Sequence, residues 1–181
     1  MVSKRIDKKY KHIEHLSDIG IEIYGDSLEQ LFENAGEGMF SIMCDLEKIS
    51  HSEKRIVKIS QKEDTNFEDL LILWLEKLLY IFETENILFS GFKIGKISCQ
   101  GAGKASQVEK GVTQGSKNSK QNNKLAGKQD KFKLVAEIYG EKIDLERHDI
   151  KVAIKAPTYH LLEVKKNGKR CIWEGRVIFD V

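Results

Sequence analysis

The stretch FEDLLILWLEKLLYIFE, residues 67–83, constrains the fold more than any other part of the chain. Leu70, Leu71, Trp74, Leu75, Leu78, Leu79 and Phe82 recur at helical spacing and form one apolar stripe. Leu73, Tyr80 and Ile81 widen the stripe beyond what one sheet face usually covers, which reads as a helix packed deep in a core, with a partner-binding edge as the alternative. Thr65, with Glu68 three residues on, supplies its start signal.

The rest of the chain reads as one shorter helix and a set of strands. Ile19, Ile21 and Ile23 alternate with Gly20, Glu22 and Tyr24, the period of a strand with one buried face. Gly25 and Asp26 turn the chain. Ser27 and Gln30 make a capping box, and Leu28, Leu31, Phe32, Ala35, Met39 and Phe40 then follow at helical spacing. A strand is expected around Arg55 to Ser60. After the long helix come ILFSGFKIGKIS, FKLVAEIYGE, DIKVAIKA, TYHLLEVKK and KRCIWEGRVIFDV, the last two joined by Asn167-Gly168, a strong hairpin signal. These elements predict an α+β domain, two layers deep, in which two amphipathic helices cover one face of a mostly antiparallel sheet.

Length and charge bound the organisation. With 181 residues the chain suits one domain with its own core. The net charge of +2 conceals an asymmetry. Between Gln100 and Lys131 seven lysines face only Glu109 and Asp130, a local +5 that leaves the remainder at −3. That segment has no aromatic residue and is rich in Gly, Ser, Gln and Asn, so it is expected to be a disordered insert at about 100–131 that lengthens one hairpin loop. Its lysines offer loose phosphate contacts to RNA. Its GAGK at 101–104 is no Walker loop, because Ser98 stands where the first glycine is needed and Ala105 follows the lysine. Cys44, Cys99 and Cys171 lack any C-x-x-C spacing, which argues against a zinc knuckle or a disulfide framework. No apolar run approaches the roughly 20 residues of a membrane span, and the first residues lack a signal peptide's apolar segment; a cytosolic protein is expected.

Candidate chemistry gathers at strand ends. Asp18 precedes the first strand of the Ile19 run, and Asp180 closes the last strand one residue before Val181. If those strands are antiparallel neighbours, Asp18, Asp180 and the Val181 carboxyl meet at one sheet edge. Like charges crowded in this way raise a pKa or recruit a cation. Oxygen-only donors favour Ca²⁺, with Mg²⁺ and Mn²⁺ as competitors. Two acids at strand ends, taken alone, are more often solvated than ligated. Lys155 interrupts an apolar run just before Pro157; it reads as an exposed strand residue or as an anchor for phosphate or a partner's carboxylate. His12, His15 and Asp18 recur every third residue, which on an extended segment does not place them on one face. A Ser17, Asp18 and His160 triad has no nucleophile elbow to support it.

Four segments in order, EHLSDIGIEIYGDSLEQLFENAGEGMFSIMCD, LLILWLEKLLYIFE, IKAPTYHLLEV and VIFDV, resemble the archease family over about residues 11–97 and 132–181. The resemblance implies a small cytosolic α+β protein that assists an RtcB-type RNA ligase, which joins a 2′,3′-cyclic phosphate or 3′-phosphate RNA end to a 5′-hydroxyl end with GTP and Mn²⁺. It further implies an activator, not an enzyme, that promotes guanylylation and repeated turnover of the ligase in tRNA splicing and RNA repair. By that resemblance Asp18, Asp180 and Val181 match the family's ligands for a divalent ion, assigned there as Ca²⁺, and Lys155 matches a lysine implicated in activation. Leu16-Ser17 replaces the family's Thr-Ala before Asp18, and Pro157 stands where a non-proline apolar residue is usual. The readings set against it are a metal-dependent phosphoesterase or nuclease using the same acids, and an RNA-binding chaperone acting through the basic insert.

Overall fold

The computed structural model describes residues 8–14, 19–61, 66–99 and 132–181. In chain order these form β1 (Tyr10–Glu14), β2 (Ile19–Gly25), α1 (Leu28–Met43), a 3₁₀ turn (Leu46–Lys48), β3 (Glu53–Gln61), α2 (Phe67–Glu85), β4 (Ile87–Cys99), β5 (Phe132–Lys142), β6 (Ala156–Asn167) and β7 (Ile172–Asp180). All pairings are antiparallel. The α+β class therefore holds, but the strands divide into two sheets: four strands in the order β1-β2-β7-β6 and three in the order β3-β5-β4.

Both helices touch both sheets. α1 packs on β2 and β7 of the larger sheet and on β4 of the smaller; α2 packs on β6 of the one and on β3 and β4 of the other. The expectation of helices on one face of one sheet is corrected accordingly, and the width of the α2 stripe has its cause here: a helix in contact with two sheets needs apolar residues over more of its circumference. Trp74, Phe32, Phe40, Phe89 and Phe179 are fully buried in this core. The Trp74 indole N–H donates to the Phe32 carbonyl oxygen at 2.9 Å, tying α2 to α1 where no water competes.

The caps differ in detail from the sequence reading. Ser27 caps α1 by accepting from the Gln30 N–H, but the Gln30 side chain accepts from the Asp26 N–H instead of closing back on Ser27. For α2 the box is Asn66 with Asp69; Thr65 lies outside the described residues. Glu68 is freed for another task and accepts the Val164 N–H of edge strand β6 at 3.0 Å. Glu33 and Glu29 of α1 accept the Ile94 and Ile97 N–H groups of edge strand β4 in the same way. Helix carboxylates thus satisfy edge donors that would otherwise invite another strand. Desolvation at that position pushes the Glu33 carboxyl up from its ordinary value.

Two other expectations change. DIKVAIKA forms no strand up to Lys155: its burial alternates, yet its backbone is held only at points, by Lys151 N–H on Met43 O and Lys155 N–H on Asp180 O. Asn167-Gly168 does open the β6–β7 hairpin, but with Asn167 opposite Ile172 the loop spans residues 168–171, and Cys171, not the Asn-Gly pair, takes the left-handed conformation (φ 56°). The Asn167 side chain accepts the Lys169 and Arg170 N–H groups and builds the turn in place of a two-residue type I′ loop. As anticipated from the flanking strands, Cys99 pairs with Phe132, so residues 100–131 connect adjacent antiparallel strands; the segment itself lies outside the described residues.

One buried charge holds the base of the smaller sheet. Glu141 accepts from the Ser50 N–H and hydroxyl at 2.8 and 2.9 Å, pairs with Arg147 at 3.1 Å and receives a bond from His148 Nε2 at 3.1 Å. The Asp144 N–H donates to His148 Nδ1, so the ring proton sits on Nε2. The Ser50 N–H above all, with Arg147, Ser50 Oγ and His148, holds the Glu141 carboxyl down at about 2 against the opposing cost of desolvation. A depressed carboxyl adds stability above its unfolded value and loses it as pH falls toward the folded one. Glu141→Ala is therefore expected to cost about 2 kcal/mol at pH 7, the cost of orphaning buried donors. In thermal unfolding followed by circular dichroism, the gap between the two proteins should close between pH 5 and pH 2; a gap independent of pH would contradict this account.

Candidate functional site

β7 runs antiparallel beside β2, with Phe179 opposite Ile19. The start of β2 and the end of β7 therefore share one sheet edge, as the strand-end argument required. Asp18 immediately precedes Ile19 in sequence but lies outside the described residues, as do His15 and Ser17. On the other side of β7, Ala156 stands opposite Asp180 and Pro157 opposite Phe179. β6 is an edge strand, which is where a proline without an N–H is tolerated.

The structure brings three sequence-derived candidates together. The Lys155 N–H donates to the Asp180 carbonyl oxygen at 2.9 Å, and the Lys155 ammonium donates to the Val181 backbone oxygen at 2.9 Å. Lys155, Asp180 and Val181 are all exposed. Among the described residues, the Asp180 carboxylate has no hydrogen-bond or ion-pair partner. A solvent-facing carboxylate and a backbone oxygen are hard donors, the type that Ca²⁺ and Mg²⁺ take, and the Val181 oxygen already accepts from the Lys155 ammonium. No group of three or more His, Cys, Asp or Glu side chains gathers among the described residues.

The lysine contact is what sequence reasoning missed. Lys155 and Val181 were separate candidates, 26 positions apart, and no local period links them. Of the two alternative constellations only His12 and His160 fall within the described residues. His12 Nε2 lies 2.9 Å from Ser41 Oγ, and His160 is exposed. Burial pushes the Cys44 thiol up to about 11, so it is a core group and not a nucleophile. A second charged cluster on the outer face of the larger sheet is self-neutralising, with Arg176 on Glu22 at 3.2 Å, Lys165 on Glu163 at 2.8 Å and Arg170 near Glu174 at 3.6 Å.

Fold and site together define a small α+β protein whose candidate charges lie on an exposed sheet edge. The sequence pattern of the archease protein family matches residues 10–181. The chain is 32% identical over 176 residues to protein archease of Pyrococcus abyssi, covering 96% of this chain and 99% of that one. It is 31% identical over 174 residues to protein archease of Methanosarcina mazei, covering 96% and 97%. The solution structure of Methanobacterium thermoautotrophicum protein 1598 superposes with a TM-score of 0.65 at 25% identity, covering 96% and 99%. The chain belongs to the archease family.

Proposed function

We propose that this chain is a non-enzymatic activator of an RtcB-type RNA ligase, working in the cytosol on tRNA splicing and RNA repair, and that Asp18, Asp180 and Val181 hold a divalent cation of which Ca²⁺ is the favoured kind. The observation that carries the reading is the Lys155–Asp180–Val181 arrangement on an exposed edge. It offers a cation, a carboxylate and a backbone oxygen to a partner, all three exposed to solvent. A bound divalent ion would supply concentrated positive charge there. Asp180 supplies a free carboxylate that can face the nucleotide and metal centre of the ligase. Lys155 supplies an ammonium already oriented by the Val181 backbone oxygen and suited to a phosphate oxygen or a partner's carboxylate.

The test is multiple-turnover RNA ligation by the RtcB-type ligase of the same organism with GTP and Mn²⁺, with and without substoichiometric amounts of this chain. Stimulation supports the reading; its absence while the ligase alone is active overturns it. Release of phosphate or cleavage of RNA by this chain alone, lost in Asp180→Ala, would favour the phosphoesterase reading instead. Lys155→Met sharpens the assay. An exposed ion pair adds at most about 1 kcal/mol to folding, so the melting temperature should hardly move. A charged contact at the heart of an interface is worth about 2 kcal/mol, so the concentration of this chain giving half-maximal stimulation should rise roughly 30-fold.

A further inference from the structure

The outward face of the β3-β5-β4 sheet is laid out as a grid of basic residues around an apolar strip. Residues directly opposite one another in an antiparallel pair share a face. Lys54 stands opposite Tyr139, Ile56 opposite Glu137, and Lys58 opposite Val135. On the other side of β5, Lys93 stands opposite Glu137 and Lys96 opposite Val135. Ser60, Lys133 and Ser98 complete the next row.

Among the described residues, exposed Lys54, Lys58, Lys93 and Lys96 on this face meet a single acid, Glu137, which Lys54 already pairs with at 2.7 Å. Among the described residues, Lys58, Lys93 and Lys96 have no hydrogen-bond or ion-pair partner. Between them lies surface of the opposite character. Ile56 is 60% exposed and Val135 44%, although both sit in mid-strand. Tyr139 lies beside the His51 ring, centroids 5.7 Å apart, with the Lys54 ammonium 5.6 Å from the Tyr139 centroid.

We infer that this sheet face binds single-stranded RNA, with Lys58, Lys93 and Lys96 on phosphates and Tyr139 and the Ile56–Val135 strip under bases. Charge complementarity selects a polyanion. An acidic protein surface would use the lysines but has no need of an exposed aliphatic strip with a half-buried tyrosine at its end. Bases do, because open sheet faces recognise unpaired nucleotides by stacking while surrounding cations follow the backbone. Lys54 and Lys58, four residues apart on β3, stand about 13 Å from one another, and Lys58 and Lys96, in one row with β5 between them, about 10 Å. That spacing lets one flexible strand be followed across the sheet. The surface is in the smaller sheet, away from the Lys155 edge in the larger one, and the inference stands whether or not the chain activates a ligase.

The test uses the full chain and a fluorescein-labelled 15-nucleotide RNA of mixed sequence, with fluorescence anisotropy from 50 to 300 mM salt. Lys58→Gln, Lys93→Gln and Lys96→Gln combined should weaken binding roughly tenfold or more and flatten the log–log salt slope by about 2, since each phosphate contact on a single strand contributes about 0.7. Tyr139→Ala should weaken binding several-fold and leave the salt slope unchanged, the signature of lost stacking. Circular dichroism confirms that both variants fold. A companion variant carries Gln at 110, 117, 120 and 124 and leaves the sheet face intact; it should retain the response to Tyr139→Ala. Binding that ignores the sheet substitutions and vanishes in the companion variant would place RNA on the 100–131 segment and overturn the inference. So would a parent chain that binds a labelled polyglutamate peptide but no RNA.

Discussion

Asp180→Ala is expected to abolish stimulation of multiple-turnover ligation while the protein stays folded. The carboxylate is exposed and makes no hydrogen bond or ion pair among the described residues, so its removal takes nothing from the core. Like charges at one edge repel, and losing one of them should leave the melting temperature equal or slightly higher. The expected loss is of cation affinity. Groups that merely support metal ligands already cost 10- to 100-fold when removed, so a direct oxygen donor should cost about 100-fold or more. Calorimetric titration with Ca²⁺ reads the affinity, and the ligation assay reads the consequence. Undiminished stimulation by Asp180→Ala would remove the site from the mechanism; an unfolded variant would mean that the residue is structural.

The largest effect on stability is expected at Gly140. This residue lies in β5 opposite both Glu53 and Phe89, beside the irregularity between Phe89 and Gly91 that shifts the register of β4. The bulge carries the β4 backbone in so closely that an added Cβ would run into the Leu88 carbonyl oxygen and stand only 2.8 Å from its carbon and 2.9 Å from Phe89 Cα. These are backbone atoms of a paired strand, so no rotamer change relieves the clash. Gly140→Ala should cost about 4 kcal/mol, beyond ordinary overpacking because the whole ladder must shift. For a chain of this size that corresponds to a melting temperature lower by about 8 to 16 °C. Thermal unfolding by circular dichroism checks it, and a shift within about 3 °C would show that the bulge can relax. The neighbouring Glu141 network anchors the same stretch of β5, so the two substitutions should not add independently.

Much of this was legible in residue order. The 3.6 period of α1 and α2 and the alternation in β2 and β5 mark the elements, because burial of one face leaves its imprint at a fixed local spacing. The excess width of the α2 stripe was legible as deep burial, but its cause, contact with two sheets, was not. Errors arose where local pattern was the same for two outcomes. DIKVAIKA alternates like a strand because an extended segment against a core alternates too, and only a paired neighbour makes it a ladder. Asn66 and Thr65 are both good capping residues, and the choice between them fell to the carboxylate that could reach back, Asp69.

For the site, sequence alone placed Asp180 at the end of a strand and singled out Lys155, since residue type and position along one element are local facts. Which elements become neighbours is not. The division of seven strands into two sheets, the Lys155 ammonium on the Val181 oxygen, and the gathering of Lys58, Lys93 and Lys96 on one face all join residues far apart in the chain. Antiparallel pairing can satisfy backbone hydrogen bonds with many partners; the choice among them depends on how the whole apolar surface is buried at once. That is a property of the packed molecule, and only the tertiary structure decides it.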